Sequence, residues 1–169
     1  EKQQFYRFRQ PQNAEFPKMI ELFSRVPDGI DLPQGVHLTP IPTGEDISSL
    51  SAILLDDDYY YFLRSNSVVK DGLRSANDIA LIALKAKAWL NNLALQAAGH
   101  PIQTGDVKKH LNDVLRLSTL SSNQSGHTIP PSIQNDMRQF VGMARRENPD
   151  VKPLLKPLGI ANTSLEDLL

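Results

Sequence analysis

The chain has 169 residues, 40% of them apolar, and a formal net charge of -1. That length supports one ordinary hydrophobic core with a small annex, and the bulk charge directs the chain neither toward nor away from nucleic acid. With no cysteine, disulfides, thiolate nucleophiles and sulfur-ligated metals are excluded. No run approaches the ~18 consecutive apolar residues of a membrane span, and the polar start is not a signal peptide, so the expectation is a cytoplasmic protein without membrane association. The chain opens on Glu1 and enters an alternating segment almost at once, a pattern compatible with a fragment whose start is incomplete.

Gln4–Arg9 alternates aromatic and basic residues with period two, as a half-buried strand does. Pro11, Asn13 and Pro17 punctuate the turn that follows. Lys18–Ser24 reads as a second strand, with Met19, Glu21 and Phe23 on one face and Ile20 and Leu22 on the other. A carboxylate among such neighbours is costly to bury alone. Glu21 is therefore expected either to face a cleft or a cation, or to pair across a partly wet strand with Arg7 or Arg9. Arg25–Gly35 is too rich in Pro, Gly and Asp for regular structure. Val36–Ile41 resumes alternation, and Pro40, lacking a ladder donor, places it at a sheet edge. Ser51–Leu55 fits either a strand or a first helical turn. Asp56–Asp58 precede a short helix over YYYFLRS, where negative charge suits the positive end of the helix dipole. Tyr59–Phe62 cluster aromatic rings, but no basic stripe interleaves with them, so nucleic-acid binding is a weak reading.

Ser67–Arg74 predicts a β-hairpin about a Lys-Asp-Gly turn. Ser75 or Asn77 then caps the first of two long amphipathic helices within Ala80–Leu120. Leu81, Leu84, Ala88 and Leu95 form the apolar spacing of the first, and Gly99–Pro101 ends it. Thr104 opens the second, with Asp106 in its first turn and Val107, Leu111, Val114, Leu115 and Leu117 as its apolar residues. Lys85, Lys87, Lys108, Lys109, Asp113 and Arg116 stand beside that packing face. Lys85 and Lys87, two apart, do not face together, whereas Lys109 and Asp113 have the i,i+4 spacing of a surface ion pair. Trp89 belongs to the apolar face and reads as core. His37, His100, His110 and His127 show no metal spacing. Ser118–Pro131 is a polar linker. A third helix over roughly Ser132–Glu147 carries Ile133, Met137, Phe140, Val141 and Ala144 on one stripe. Thr163–Leu169 adds a last turn with Ser164 as cap. Short mixed strands followed by helices define an α+β class, divided as a β-rich 1–74 and a helical 75–169.

The segments FYRF, FPKMIELFSRVPD, HLTPI, SLSAILLDDDYYYFL, LIALKAKAWLNN and GDVKKHLNDVLRL, in that order, resemble the later part of AbiEii-type toxins, bacterial proteins of the polymerase-β-like nucleotidyltransferase superfamily. The resemblance spans roughly Phe5–Leu120. It implies metal-dependent transfer of a nucleotide from an NTP to an acceptor, with Mg2+ as cofactor and an antitoxin or nucleic-acid acceptor among the partners. It further implies that Glu21 is the third acidic metal ligand, that Lys85 and Lys87 lie near the triphosphate, and that Asp106, Lys109 and Asp113 form the catalytic segment of the following helix. The family's opening Gly-Ser or Gly-Gly turn and Asp-x-Asp strand have no match in these residues. Nucleotidyl transfer needs convergent carboxylates holding two cations, and a lysine supplies only a point charge to phosphate. The 169 residues alone are therefore expected to be inactive. The alternative is a non-catalytic interaction or regulatory module that docks through its helical hairpin.

Overall fold

A computed structural model describes residues 7–9, 11–25, 38–40, 51–102, 104–120 and 128–169. The architecture is α+β, with small sheets first and helices after. The chain divides into two compact units, Glu1–Tyr61 and Phe62–Leu169.

In the first unit, β1 (Arg7–Arg9) pairs antiparallel with β2 (Met19–Glu21), and the register sets Arg7 opposite Glu21. The expected single strand over 18–24 is interrupted at Leu22, and β3 (Phe23–Arg25) joins a different sheet. There it runs parallel to β5 (Ser51–Leu55), which also pairs antiparallel with β4 (Leu38–Pro40). The ambiguous segment 51–55 is thus a strand, the central one of a three-stranded sheet ordered β3-β5-β4. Pro40 lies on the outer strand of that order, where a missing N–H is tolerated. Residues 4–6, 36–37 and 41 of the expected strands lie outside the described residues.

Helix α1 (Asp57–Ser65) carries Asp57 and Asp58 in its first turn. The Asp56 carboxylate accepts the Tyr59 N–H at 2.9 Å, as a capping side chain does. Asp57 lies 3.7 Å from Arg25. Asp56 and Asp57 thus have different surroundings.

The second unit begins with the expected hairpin. β6 (Ser67–Lys70) and β7 (Leu73–Ala76) pair antiparallel, with Lys70 opposite Leu73. Asp71 and Gly72 both take positive φ, 52° and 77°, the demand of a two-residue type I′ turn. Asn77 caps α2 (Asp78–Ala97), its side chain accepting the Ala80 N–H at 3.0 Å. Gly99, at φ 82°, closes that helix, and the His100 N–H returns to the Leu95 carbonyl at 3.0 Å, a C-terminal cap built on a left-handed glycine. The remaining helices are α3 (Thr104–Ser118), α4 (Pro131–Glu147) and the short α5 (Lys152–Leu155).

α2 packs against both α3 and α4. Its buried residues are Ala80, Ala83, Ala86, Trp89 and Leu90, one position around from the leucine spacing expected. Leu81, Leu84 and Ala88 are only half-buried, and Leu95 is exposed. Two neighbouring helices widen the covered arc, and alanines at its centre let their backbones approach. From α3 come Val107, Leu111, Val114 and Leu115. From α4 come Phe140 and Ala144, with Met137 and Val141 packed beside them. The Trp89 ring meets Phe140 edge to face, centroids 5.2 Å apart at 74°, a preferred aromatic geometry. Val151, Leu154, Leu155 and Leu168 complete the core. The last segment makes a turn over 166–168, with Ser164 Oγ donating to the Asp167 carboxylate at 2.7 Å. Among the described residues no helix is long and apolar enough to cross a membrane.

Candidate functional site

The helical hairpin places two lysines of α2 against carboxylates of two different helices. Lys85 Nζ lies 3.1 Å from Asp113 Oδ2 on α3. Lys87 Nζ donates to Asp136 Oδ2 on α4 at 2.8 Å. The divergence follows from spacing: residues two apart on a helix point about 200° apart, so each reaches a different neighbour. Neither pair is local in sequence. Asp113 is shared, with Arg116 Nη1 3.9 Å from its Oδ1. Among the described residues these two cations, and not Lys109, are the ion-pair partners of Asp113. Lys109 stands exposed on α3.

Lys85, Asp113 and Arg116 line an open cleft of about 310 Å³ together with Leu81 and Leu117. Helical periodicity builds it. Leu81 is one turn before Lys85 on α2, while Leu117 is one turn after Asp113 on the antiparallel α3. Lys85 and Arg116 both approach the Asp113 carboxylate, and the accessible lining of the cleft itself is apolar. The leucines leave its flanks apolar.

Of the residues assigned to the nucleotide site, then, the structure brings together Lys85 and Asp113. Lys87 points to α4 instead. Asp106 belongs to the first turn of α3. Glu21 belongs to the first unit and stands half-buried on β2, where its neighbours Met19 and Ile20 are exposed. Its carboxylate is therefore on a partly wet strand rather than sealed among apolar side chains. Asp113 has two cations against it, a setting opposite in charge to that of a ligand awaiting a divalent ion. Among the described residues no group of three or more His, Asp or Glu side chains is arranged to hold a metal.

Arg116 is the site residue that the motif segments did not single out. Its position three residues after Asp113 was a visible signal, because i,i+3 neighbours share a helix face. No family model, curated protein or solved structure matches this chain.

Proposed function

We propose that the chain is a non-catalytic interaction module that docks on a partner protein through its α2–α3 hairpin. The observation that carries this reading is the Lys85–Asp113 pair across the two helices, at 3.1 Å. The cation that nucleotidyl transfer would aim at a triphosphate is engaged in joining α2 to α3. Lys87 is engaged likewise with α4. Cross-helix pairs of this kind hold a surface in one geometry, and a preorganised surface loses less freedom when it binds.

The test compares the hairpin with another face of the same unit. The full chain, immobilised, is expected to retain a partner from cell extract, and Arg116→Glu with Leu117→Asp on α3 to abolish that retention. Leu158→Asp, on an exposed residue outside the hairpin, is expected to leave it intact. Retention indifferent to the hairpin substitutions would overturn the reading.

A second reading, a nucleotidyltransferase-like protein using Mg2+ and an NTP, is favoured by one observation: Lys85 lines an open cleft whose volume is in the range of small-ligand sites. Under it Lys85 exchanges Asp113 for a triphosphate. Its test is transfer of α-phosphate label from an NTP to protein or RNA. The docking reading expects none, and no nucleotide binding tighter than about 1 mM.

A further inference from the structure

The β6–β7 hairpin has an outer edge that complements itself. We propose that a second copy of the chain pairs on it, β6 against β6, joining the two hairpins into one antiparallel sheet. Among the described residues β6 and β7 pair only with each other, and every residue from Val68 to Ser75 is exposed. A hairpin with neither a third strand nor a helix over it is marginal in water. Val68 and Val69 are 64% and 59% exposed, although β-branched side chains favour a strand flanked on its edge. The turn fixes which backbone groups of β6 are free. Lys70 and Leu73 close a type I′ turn and exchange both of their ladder bonds, and such pairs alternate along the strands. The Asn77 N–H on the Asn66 carbonyl at 3.0 Å continues that alternation. Val68 and Lys70 therefore direct their N–H and C=O groups to β7, whereas Ser67 and Val69 direct theirs outward.

One register satisfies all of these groups. A two-fold axis through Val68 sets Ser67 of each copy opposite Val69 of the other, so every outward N–H meets an outward C=O. The contact is isologous, and at this edge it closes with two copies. Val68 then faces its own counterpart at a non-hydrogen-bonded position, where side chains lie closest. Leu73, diagonal to Val68 in the β6–β7 register and also exposed, extends the same apolar stripe outward in both copies. Lys70 falls opposite Asn66, so no like charges meet. The β7 edge offers no such fit. The equivalent axis through Ser75 sets Arg74 opposite Ala76 and covers no large apolar side chain. Arg74 is also turned back across the hairpin, donating to Ser67 Oγ at 2.9 Å. An acidic strand from another protein would gain one ion pair with Lys70 at the end of β6. A second copy gains valine on valine at its centre.

An edge this short belongs with weak interfaces, so the dimer is expected to dissociate with a constant on the order of 100 µM. Sedimentation equilibrium of the full chain from about 10 µM to about 1 mM should follow the transition. Val68→Lys, which sets two ammonium groups opposite each other, is expected to weaken association about tenfold or more. The near-ultraviolet dichroism of Trp89 checks that the variant is folded. Because the chain has no cysteine, Val68→Cys places a single thiol on the proposed axis, and oxidation should link two copies. Val69→Cys should not link, since its counterpart lies diagonally across the pair, beyond the ~7 Å Cα separation that a disulfide spans. Arg116→Glu with Leu117→Asp should leave the dimer unchanged, which separates this edge from the α2–α3 surface. A monomer at every concentration would overturn the proposal. So would a dimer that survives Val68→Lys and cross-links equally through Val69→Cys. Slow amide exchange at Ser67 and Val69 in the dilute, monomeric chain would also overturn it, because another strand would then hold the edge.

Discussion

Replacing Lys85 or Asp113 should loosen the helical unit in a coupled way, because each holds the other across two helices. At 3.1 Å, and with an effective dielectric near 20, the gross attraction is about 5 kcal/mol. Desolvation offsets most of it. Lys85 retains 31% of its side-chain exposure and Asp113 25%, so neither is fully withdrawn from water and neither is freely solvated. Exposed pairs couple by roughly 0.2–1 kcal/mol; a pair at this depth should reach the top of that range, about 1 kcal/mol. The measurement is a double-mutant cycle of Lys85→Met, Asp113→Asn and the double variant, by urea unfolding. The single tryptophan of the chain, Trp89, is buried in this core, so its fluorescence reports the unfolding of the unit concerned. Asp113→Asn should be the costlier single change, because it leaves Lys85 and Arg116 facing each other without the shared carboxylate. In 1 M salt, where the Debye length is about 3 Å, the coupling should fall by roughly half. A coupling below about 0.3 kcal/mol, or one insensitive to salt, would refute the claim that this pair ties α2 to α3.

Phe140, 1% exposed and in contact with Trp89, should cost about 3–4 kcal/mol as Phe140→Ala, with loss of the near-ultraviolet dichroism of Trp89; retention of both stability and signal would contradict the assigned core. Gly99→Ala meets open space but must adopt a φ of 82°. It should therefore destabilise the unit by about 1 kcal/mol through the backbone alone, and an unchanged urea midpoint would show that the α2 cap is dispensable. The Asp167 carboxyl is held below its usual range by hydrogen bonds from the Ser164 hydroxyl and then the Ser164 backbone. A carboxyl so lowered stabilises the fold above the ordinary aspartate range, and that contribution disappears as pH falls through the folded-state value. Ser164→Ala should move the Asp167 titration, followed by carboxyl NMR, to higher pH; no movement would mean that the side-chain hydrogen bond is absent in solution.

The local punctuation of this chain was legible in its residues. A capping residue before an apolar run, Gly99 after it, and Asp71-Gly72 between two short alternating runs each specify a backbone conformation through their own chemistry, although the choice of Asn77 over Ser75 as the cap was made by the structure. The same holds for the α+β order of the elements and for the core position of Trp89. Pairing between distant segments was not legible in this way. Lys18–Ser24 alternates without interruption, yet it divides at Leu22 because β2 and β3 hydrogen-bond to different partners. Ser51–Leu55 is a strand because β3 and β4 flank it, and nothing within those five residues requires that.

The hairpin shows the division most directly. Its sequence by itself determined that two amphipathic helices form and where the first begins and ends. Only the tertiary structure decided which face of α2 is buried. Periodicity favours the arc of Leu81, Leu84 and Ala88, but packing against both α3 and α4 covers the arc of Ala80, Ala83 and Ala86. The same packing chose the partner of Asp113. Lys109 has the right spacing along one helix, but Lys85 lies across the cleft within 3.1 Å. Spacing along a helix states which pairs can meet; the position of a second helix states which pairs do.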